Sequence, residues 1–370
     1  MTTPPAVLAI NAGSSTVKCA LFTFDKQPRL LAREVIEASG LAAIPHLLDW
    51  IHAHSADTSL RAIGHRIVHG GPNLTQPEPV TPTLIDTLTG LIPFAPNHLP
   101  DELALLRVLG QTKPVVPQLA CFDTAFHADL PDLARRLPIP LAYDVRGVRR
   151  YGFHGLSFTF LVGELEARAG TEVSSGRLVL AHLGNGSSLA AVHNRRSIDT
   201  TMAFTPIGGV VMSTRSGDLD PGVVSYIARQ ERLTPDEIEE LLSRRSGLLG
   251  ISDATSDMRA LLEREASDPT CRLAVAMYVY SVKKAIGSFA AALGGLDTLV
   301  FSGGIGEHAP AIRARICDGL GFLGVELDVE RNAANLQTIS SGKARAAIWV
   351  IPTNEEVVIA RAAYALFGSR

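Results

Sequence analysis

Two glycine- and serine-rich turns, each set between a pair of apolar runs, carry the first chemical signal in this 370-residue chain. One lies within Val7–Phe22 and contains Asn11, Gly13, Ser14, Ser15 and, just beyond, Lys18. The other lies within Leu178–Val192 and reads His182-Leu183-Gly184-Asn185-Gly186-Ser187-Ser188. Glycine lets successive backbone N–H groups converge and serine hydroxyls add donors, so such a turn can wrap phosphate oxygens. A single Gly-Ser-Ser turn is usually a plain hairpin. Two of them suggest two related halves that close around a phosphorylated ligand.

Two arginines belong to the same chemistry. Arg66 stands in Gly64-His-Arg-Ile-Val68-His-Gly-Gly71, between apolar residues at the end of a predicted strand. Such a guanidinium needs an anion, either a bound carboxylate or phosphate or a structural partner of the protein's own. Arg215 lies in a polar, glycine-rich loop, Met212-Ser-Thr-Arg-Ser-Gly-Asp218, enclosed by apolar segments. Arginines beside phosphate-cradling turns describe phosphoryl transfer, where positioning and charge neutralisation supply most of the rate. Among the acids, Asp123 ends the apolar run 115–122, and Glu355 and Glu356 open the last helical pattern. Thr353 as N-cap would place Glu356 at N3 of a capping box, leaving Glu355 as the Mg²⁺ candidate. His154, in Tyr151-Gly-Phe-His-Gly155, could donate to phosphate, act as a base, be phosphorylated, or be a satisfied core histidine, and His182 has similar standing. Ser302-Gly-Gly-Ile-Gly306-Glu reads as a strand–glycine loop–helix junction open to close ligand approach. Neither a dinucleotide-binding glycine fingerprint nor a P-loop is present.

Strand-like runs at 7–11, 17–24, 62–68, 115–122, 177–183, 189–193, 297–302 and 346–351 would position these groups. Helical patterns alternate with them. Thr234-Pro-Asp-Glu237 forms a capping box, with Gly247 expected to stop that helix, and Asp268-Pro269 starts a longer helix that ends at Gly294-Gly295. This order predicts an α/β protein with ligands beyond strand ends, glycine-rich loops at 208–222 and 302–306 serving as hinge and ligand regions. The length predicts two domains with a junction near 123–150. A composition of 46% hydrophobic and 19% charged residues fits a soluble globular protein. The net charge of −3 offers no footprint for nucleic acid. Lysines and a glycine pair interrupt the most apolar stretch, 273–301, so no membrane span is expected, and the opening Met-Thr-Thr-Pro-Pro lacks a signal-peptide pattern. Scattered Cys19, Cys121, Cys271 and Cys317 suggest reduced core thiols, with no zinc site and no disulfide framework, hence a cytoplasmic protein.

Taken together, the motifs resemble the acetate/propionate/butyrate kinase family. Eight ordered blocks carry the likeness from Ile10 to Arg361: 11–18, 64–71, 122–127, 151–155, 182–186, 214–221, 302–307 and 353–356. The resemblance implies an actin/sugar-kinase-like (ribonuclease H-like) fold of two similar α/β domains, with ATP in the interdomain cleft. It implies one domain of 1–124 plus 357–370, another of 125–356 holding most of the nucleotide, and a homodimer. By position, Asn11 and Glu355 would assist Mg²⁺, with Mn²⁺ as a substitute, and Lys18 would meet nucleotide phosphate. Asp123, His154 and Arg215 would be catalytic. Arg66, Val68, Phe153 and Pro206 would bind the carboxylate substrate. His182, Leu183, Gly184, Asn185 and Gly186 would line the phosphates. Asp257, Met258 and Arg259, with Gly304, Ile305, Gly306, Glu307 and His308, would surround the adenosine.

The resemblance also implies the reaction: reversible transfer of the ATP γ-phosphoryl group to acetate, giving acetyl phosphate and ADP. The chain departs from the family pattern at Leu156 and Phe158, where a Thr and a second His are usual, at Asn97 in place of an apolar pocket residue, and at His308 in place of Asn. Asn97 keeps a propionate- or butyrate-preferring kinase as an alternative, since one methylene is worth only about 1–3 kcal/mol of discrimination. The other class is a nucleotide-binding regulatory protein without transfer, which would need no such complete set of Asn11, Lys18, Arg66, Asp123, His154, Arg215 and Glu355.

Overall fold

The computed structural model describes residues 3–13, 16–38, 40–55 and 58–368. Ser14 and Ser15 of the first turn lie outside the described residues. The chain divides into two compact units, one of Met1–Ala128, Gly155–Phe160 and Asn354–Arg370, the other of Asp129–His154 and Leu161–Thr353.

The first unit holds a six-stranded sheet of β1 (Pro5–Ala12), β2 (Val17–Thr23), β3 (Leu30–Ile36), β4 (Ser59–Ile67), β5 (Glu78–Pro79) and β6 (Gln118–Phe122). Its order is β3-β2-β1-β4-β6-β5. The second unit holds β7 (Leu178–Leu183), β8 (Ser187–His193), β9 (Arg196–Thr200), β10 (Thr298–Ser302) and β11 (Ala347–Val350), in the order β11-β10-β7-β8-β9. The plan is the same in both. Three antiparallel strands (β1, β2, β3 or β7, β8, β9) are extended by two parallel ones (β4, β6 or β10, β11). The duplicated turns seen in the sequence join the first two strands of each sheet, so the repeat is a structural one.

All eight expected runs form strands. β6 starts at Gln118, later than the pattern suggested, because Pro117 precedes it and Val115 is exposed. β3, β5 and β9 have no apolar alternation to betray them. β3 and β9 lie at sheet edges, where few of their side chains are buried.

Helices follow from local chemistry. The helix Pro235–Arg244 has the expected capping box, Thr234 accepting from the Glu237 amide while Glu237 accepts from Thr234. It ends at Arg244, before Gly247, which instead opens the helix Gly247–Ser252 with φ +61°. Asp268 caps the helix Pro269–Leu293, and left-handed Gly294 stops it. That helix runs through the apolar core of the second unit with Val179, Leu189 and Leu299. The last helix, Glu355–Phe367, packs on β1 and β4. The contact is close: a Cβ on Gly64 would lie 2.2 Å from Ile359 Cγ2. All four cysteines are free and buried. Among the described residues no helix is long and apolar enough to cross a membrane.

Candidate active site

In the first unit the acidic and basic candidates converge at the ends of β1, β4 and β6. The parallel register β4–β6 sets Arg66 beside Cys121, and Asp123 follows at the end of β6. Asp123 is fully buried, and Arg66 Nη2 donates to its Oδ2 at 2.7 Å while Nη1 donates to the Ala12 carbonyl at 2.8 Å. The structural partner left open by the sequence therefore exists, and it is Asp123. Burial opposes the charge on Arg66, but Asp123, Glu355 and Glu102 outweigh it and push its pKa above the ordinary value. The peptide of Gly155 donates to the Asp123 carbonyl at 2.8 Å, and a Cβ at Gly155 would sit 2.2 Å from that oxygen. Only glycine fits there.

Asn11, at the end of β1 and directly across from Lys18 in β2, donates to Glu355 at 2.6 Å and to Glu356 at 3.1 Å. The N-cap of the last helix is Asn354, whose side chain accepts from the Val357 amide, and not Thr353 as the sequence suggested. Glu356 thus falls one position earlier than N3 and forms no capping box. Its carboxylate is held by Asn11 and lies 3.9 Å from Arg33. Burial and the neighbouring Asp123 carboxylate drive Glu355 well above the usual carboxylate range, against the pull of Arg66. Crowded acids of this kind suit a divalent cation. Among the described residues there is no cluster of three or more His, Cys, Asp or Glu arranged for a metal. Magnesium accepts one or two carboxylates with waters and substrate phosphates, so Glu355, Asp123 and the Asn11 amide fit it.

Val68 is buried, and its amide donates to both carboxylate oxygens of Glu102, at 3.0 and 3.2 Å. Glu102 is 3% exposed, and burial pushes its pKa up to about 8 despite the pull of Arg66. Phe158, the departure from the usual His, is fully buried against Phe126 and His127 and plays a packing role. Asn97 is exposed, next to the N-cap His98 of the helix Leu99–Thr112.

In the second unit the turn between β7 and β8 gathers another set. His154 adopts a left-handed conformation (φ +58°), its Nδ1 is 2.8 Å from Ser188 Oγ, and its ring stacks on His182 with centroids 4.3 Å apart. A Cβ on Gly186 would lie 3.2 Å from His154 Nε2 and 3.3 Å from Arg215 Nη1. The imidazole and the guanidinium therefore border the same glycine. Arg215 also donates to the carbonyl of buried Pro206 at 3.2 Å. Its loop is tied to the turn by the Ser213 amide on the Asn185 carbonyl, 3.2 Å, and to the helix Gly247–Ser252 by the Leu248 and Leu249 amides. Phe153 is buried beside His154 in sequence.

Gly184 faces Gly304, with 3.8 Å from its would-be Cβ to the Gly304 nitrogen, so this turn adjoins the segment after β10, which is not the glycine loop expected at 302–306 but the start of the helix Gly303–His308. Glu307 accepts from the amides of Gly303 and Thr353, at 2.8 and 3.1 Å, and lies 3.8 Å from exposed His308. Leu183 is fully buried and Ile305 packs on the core, so only their backbone groups are open to a ligand. Gly306 is buried as well. Asp257 caps the helix Met258–Arg264 by accepting from the Arg259 amide, and Met258 is a core residue.

Four supporting residues carry little signal in the sequence. Glu102 hides in a leucine-rich helical run, Ser188 reads as one turn residue among several, and Gly247 reads as a helix stop. Buried Arg313 was also missed: it donates to the Gly306 and Glu307 carbonyls and to Asn332, fixing the end of the helix Gly303–His308. Its place between apolar residues in the row Ala311-Ile-Arg-Ala-Arg-Ile, which it shares with Arg315, is its only signal.

The Acetokinase family model matches residues 32–361. The chain is 42% identical to an acetate kinase of Rhodopseudomonas palustris over 96% of each chain, and 38% identical to a propionate kinase of Citrobacter rodentium over 96% of this chain and 95% of that one. Its fold is similar to a solved acetate kinase of Porphyromonas gingivalis, with a TM-score of 0.87, 32% identity, and 98% and 99% of the two chains covered. A propionate kinase of Francisella tularensis gives 0.86 at 33% identity, with 98% and 99% covered. A family model over most of the chain and likeness at this identity over 96% of it lead to one conclusion: this chain belongs to the acetokinase family.

Proposed function

We propose that the protein transfers the γ-phosphoryl group of ATP to acetate, reversibly, forming acetyl phosphate and ADP by direct in-line displacement. The supporting observation is the convergence of His154 Nε2 and Arg215 Nη1 on the Gly186 peptide. A guanidinium and an imidazole donor beside a glycine turn suit the charge of a transferring phosphoryl group. A short carboxylic acid with a pKa near ~4 is ionised at neutral pH, so its oxygen attacks phosphorus without a general base. The bond from phosphorus to the bridging oxygen breaks, and ADP leaves with the electron pair. The obstacle is bringing anions together. Arg215 and His154 neutralise the transferring group, Arg66 with Val68, Phe153 and Pro206 holds the acid, and Lys18 with the turn His182–Gly186 holds phosphates. Asp257–Arg259 and Gly304–His308 take the adenosine.

Asn11, Glu355 and Asp123 would hold Mg²⁺, which supplies charge neutralisation on the nucleotide phosphates. Asp123 meanwhile keeps Arg66 fixed through their 2.7 Å ion pair. An exposed apolar row on the helix Pro269–Leu293 (Leu273, Met277 and Tyr280) supports self-association into a homodimer, and four free, buried thiols suit a cytoplasmic setting.

Hydroxylamine trapping tests the reaction. Purified protein with ATP, Mg²⁺ and acetate should yield hydroxamate faster than with propionate or butyrate. Faster turnover of a longer acid would move the assignment to that acid, and no hydroxamate with any acid would overturn the kinase reading.

A further inference from the structure

Tyr278 is fully buried in the helix Pro269–Leu293, in a row otherwise filled by Cys271, Ala274, Val275, Val282 and Ile286. Phenylalanine would fill that space equally well, so the hydroxyl needs its own explanation. Its oxygen lies 3.0 Å from Ser187 Oγ. Ser187 Oγ in turn accepts from the Gly184 amide at 3.2 Å and donates to the Gly184 carbonyl at 3.1 Å. A serine hydroxyl has one proton and two lone pairs. With its proton on Gly184 and one lone pair on the Gly184 amide, the remaining lone pair can only accept, so Tyr278 is the donor. The chain Tyr278–Ser187–Gly184 is thereby saturated, and it clamps both backbone polar groups of Gly184, on two successive peptides of the glycine turn.

We propose that Tyr278 is a positioning residue for the ATP phosphates, its buried hydroxyl fixing the Gly184–Gly186 turn through Ser187. This rests on the reading of that turn as the phosphate site. One helical turn further on, Ser281 accepts from the Val211 amide at 3.2 Å, so the same helix face also anchors the segment leading to Arg215. The helix is a common mount for both phosphate-handling loops of the unit.

The test compares Tyr278→Phe, Ser187→Ala and the double variant in the hydroxamate assay, with ATP and acetate varied separately, and by calorimetric titration with ADP. Each single change should lower kcat/KM for ATP and weaken ADP binding about tenfold, the scale of one buried hydrogen bond. KM for acetate should stay within about twofold. The double variant should be no worse than the poorer single one, because both act through one chain. Wild-type ADP affinity in Tyr278→Phe, multiplicative losses in the double variant, or equal losses for both substrates in step with a lowered melting temperature would overturn the proposal. Absence of hydroxamate from the wild type would instead defeat the kinase reading, and ADP titration would still decide the role of Tyr278.

Discussion

Asn11 Nδ2 and Glu355 Oε2 lie 2.6 Å apart although 344 positions separate them in the chain. The bond joins the end of the first strand to the first residue of the last helix, and Asn11 reaches Glu356 as well. Through it the two extremities of the sequence build one candidate metal site. Glu355→Gln keeps the size of the side chain and removes its charge. Turnover at saturating ATP and acetate is expected to fall at least tenfold, with a raised Mg²⁺ requirement. An unchanged Mg²⁺ titration would remove Glu355 from the metal site.

Arg66 has a structural partner besides its proposed substrate role. It is 11% exposed and paired with the fully buried Asp123 carboxylate. Removing one partner of a buried pair leaves the other charge unpaired, at a cost of about 3 kcal/mol. Arg66→Ala should therefore lower the denaturation midpoint and also raise the acetate KM at least tenfold. A stability loss with wild-type acetate KM would leave Arg66 a purely structural role.

Arg215 and Gly247 form a second pair. Gly247 has φ +61°, and a Cβ there would meet the Met212 carbonyl at 2.2 Å and the Arg215 carbonyl at 2.7 Å. Arg215→Ala is expected to lower kcat by roughly two orders of magnitude or more. Gly247→Ala, which touches no predicted ligand, should push the loop out of place and lower kcat about tenfold. Full activity in Gly247→Ala would show that the loop is not held in this way.

Stability should fall as pH rises through the neutral range. Burial raises the pKa of Glu102 to about 8, so between pH 6.5 and 8 the folded state keeps a proton that the unfolded chain has lost. The folded state binds more protons there, and its advantage shrinks with rising pH. His65, lowered to about 4 by burial, is neutral in the fold throughout this window while the unfolded histidine is still about half protonated at pH 6.5, so it adds a smaller slope of opposite sign that dies away by pH 8. Melting temperatures at pH 6.5 and 8 should show a decline for the wild type and a flatter profile for Glu102→Gln. Parallel profiles would mean that Glu102 does not titrate in this range.

Asn97 is a test of acid choice. It is exposed, on the turn that leads into the helix Leu99–Thr112. Asn97→Leu should change the ratio of kcat/KM for propionate over acetate by less than about tenfold, the low end of what one methylene contributes. A larger switch would give this residue a direct part in acid selection.

Much of the architecture was legible because its signals are local. Apolar runs bounded by glycine turns announced β1, β2, β7 and β8, and the Thr234 and Asp268 caps announced their helices. The same holds for Arg66, Asp123, His154 and Arg215, whose residue types sit at strand ends and in glycine loops where chemistry is usual. The edge strands β3 and β9 escaped because a half-exposed strand needs no apolar alternation. Partnerships escaped for a different reason. Arg66 with Asp123, Asn11 with Glu355, and Tyr278 with Ser187 are pairs between distant segments, and no spacing rule encodes them. The cap of the last helix fell to Asn354 once Glu356 was drawn to Asn11. The sequence by itself determined which groups are available and which elements carry them. Only the tertiary structure decided which groups meet, because each meeting depends on strand register and helix packing set by the whole core.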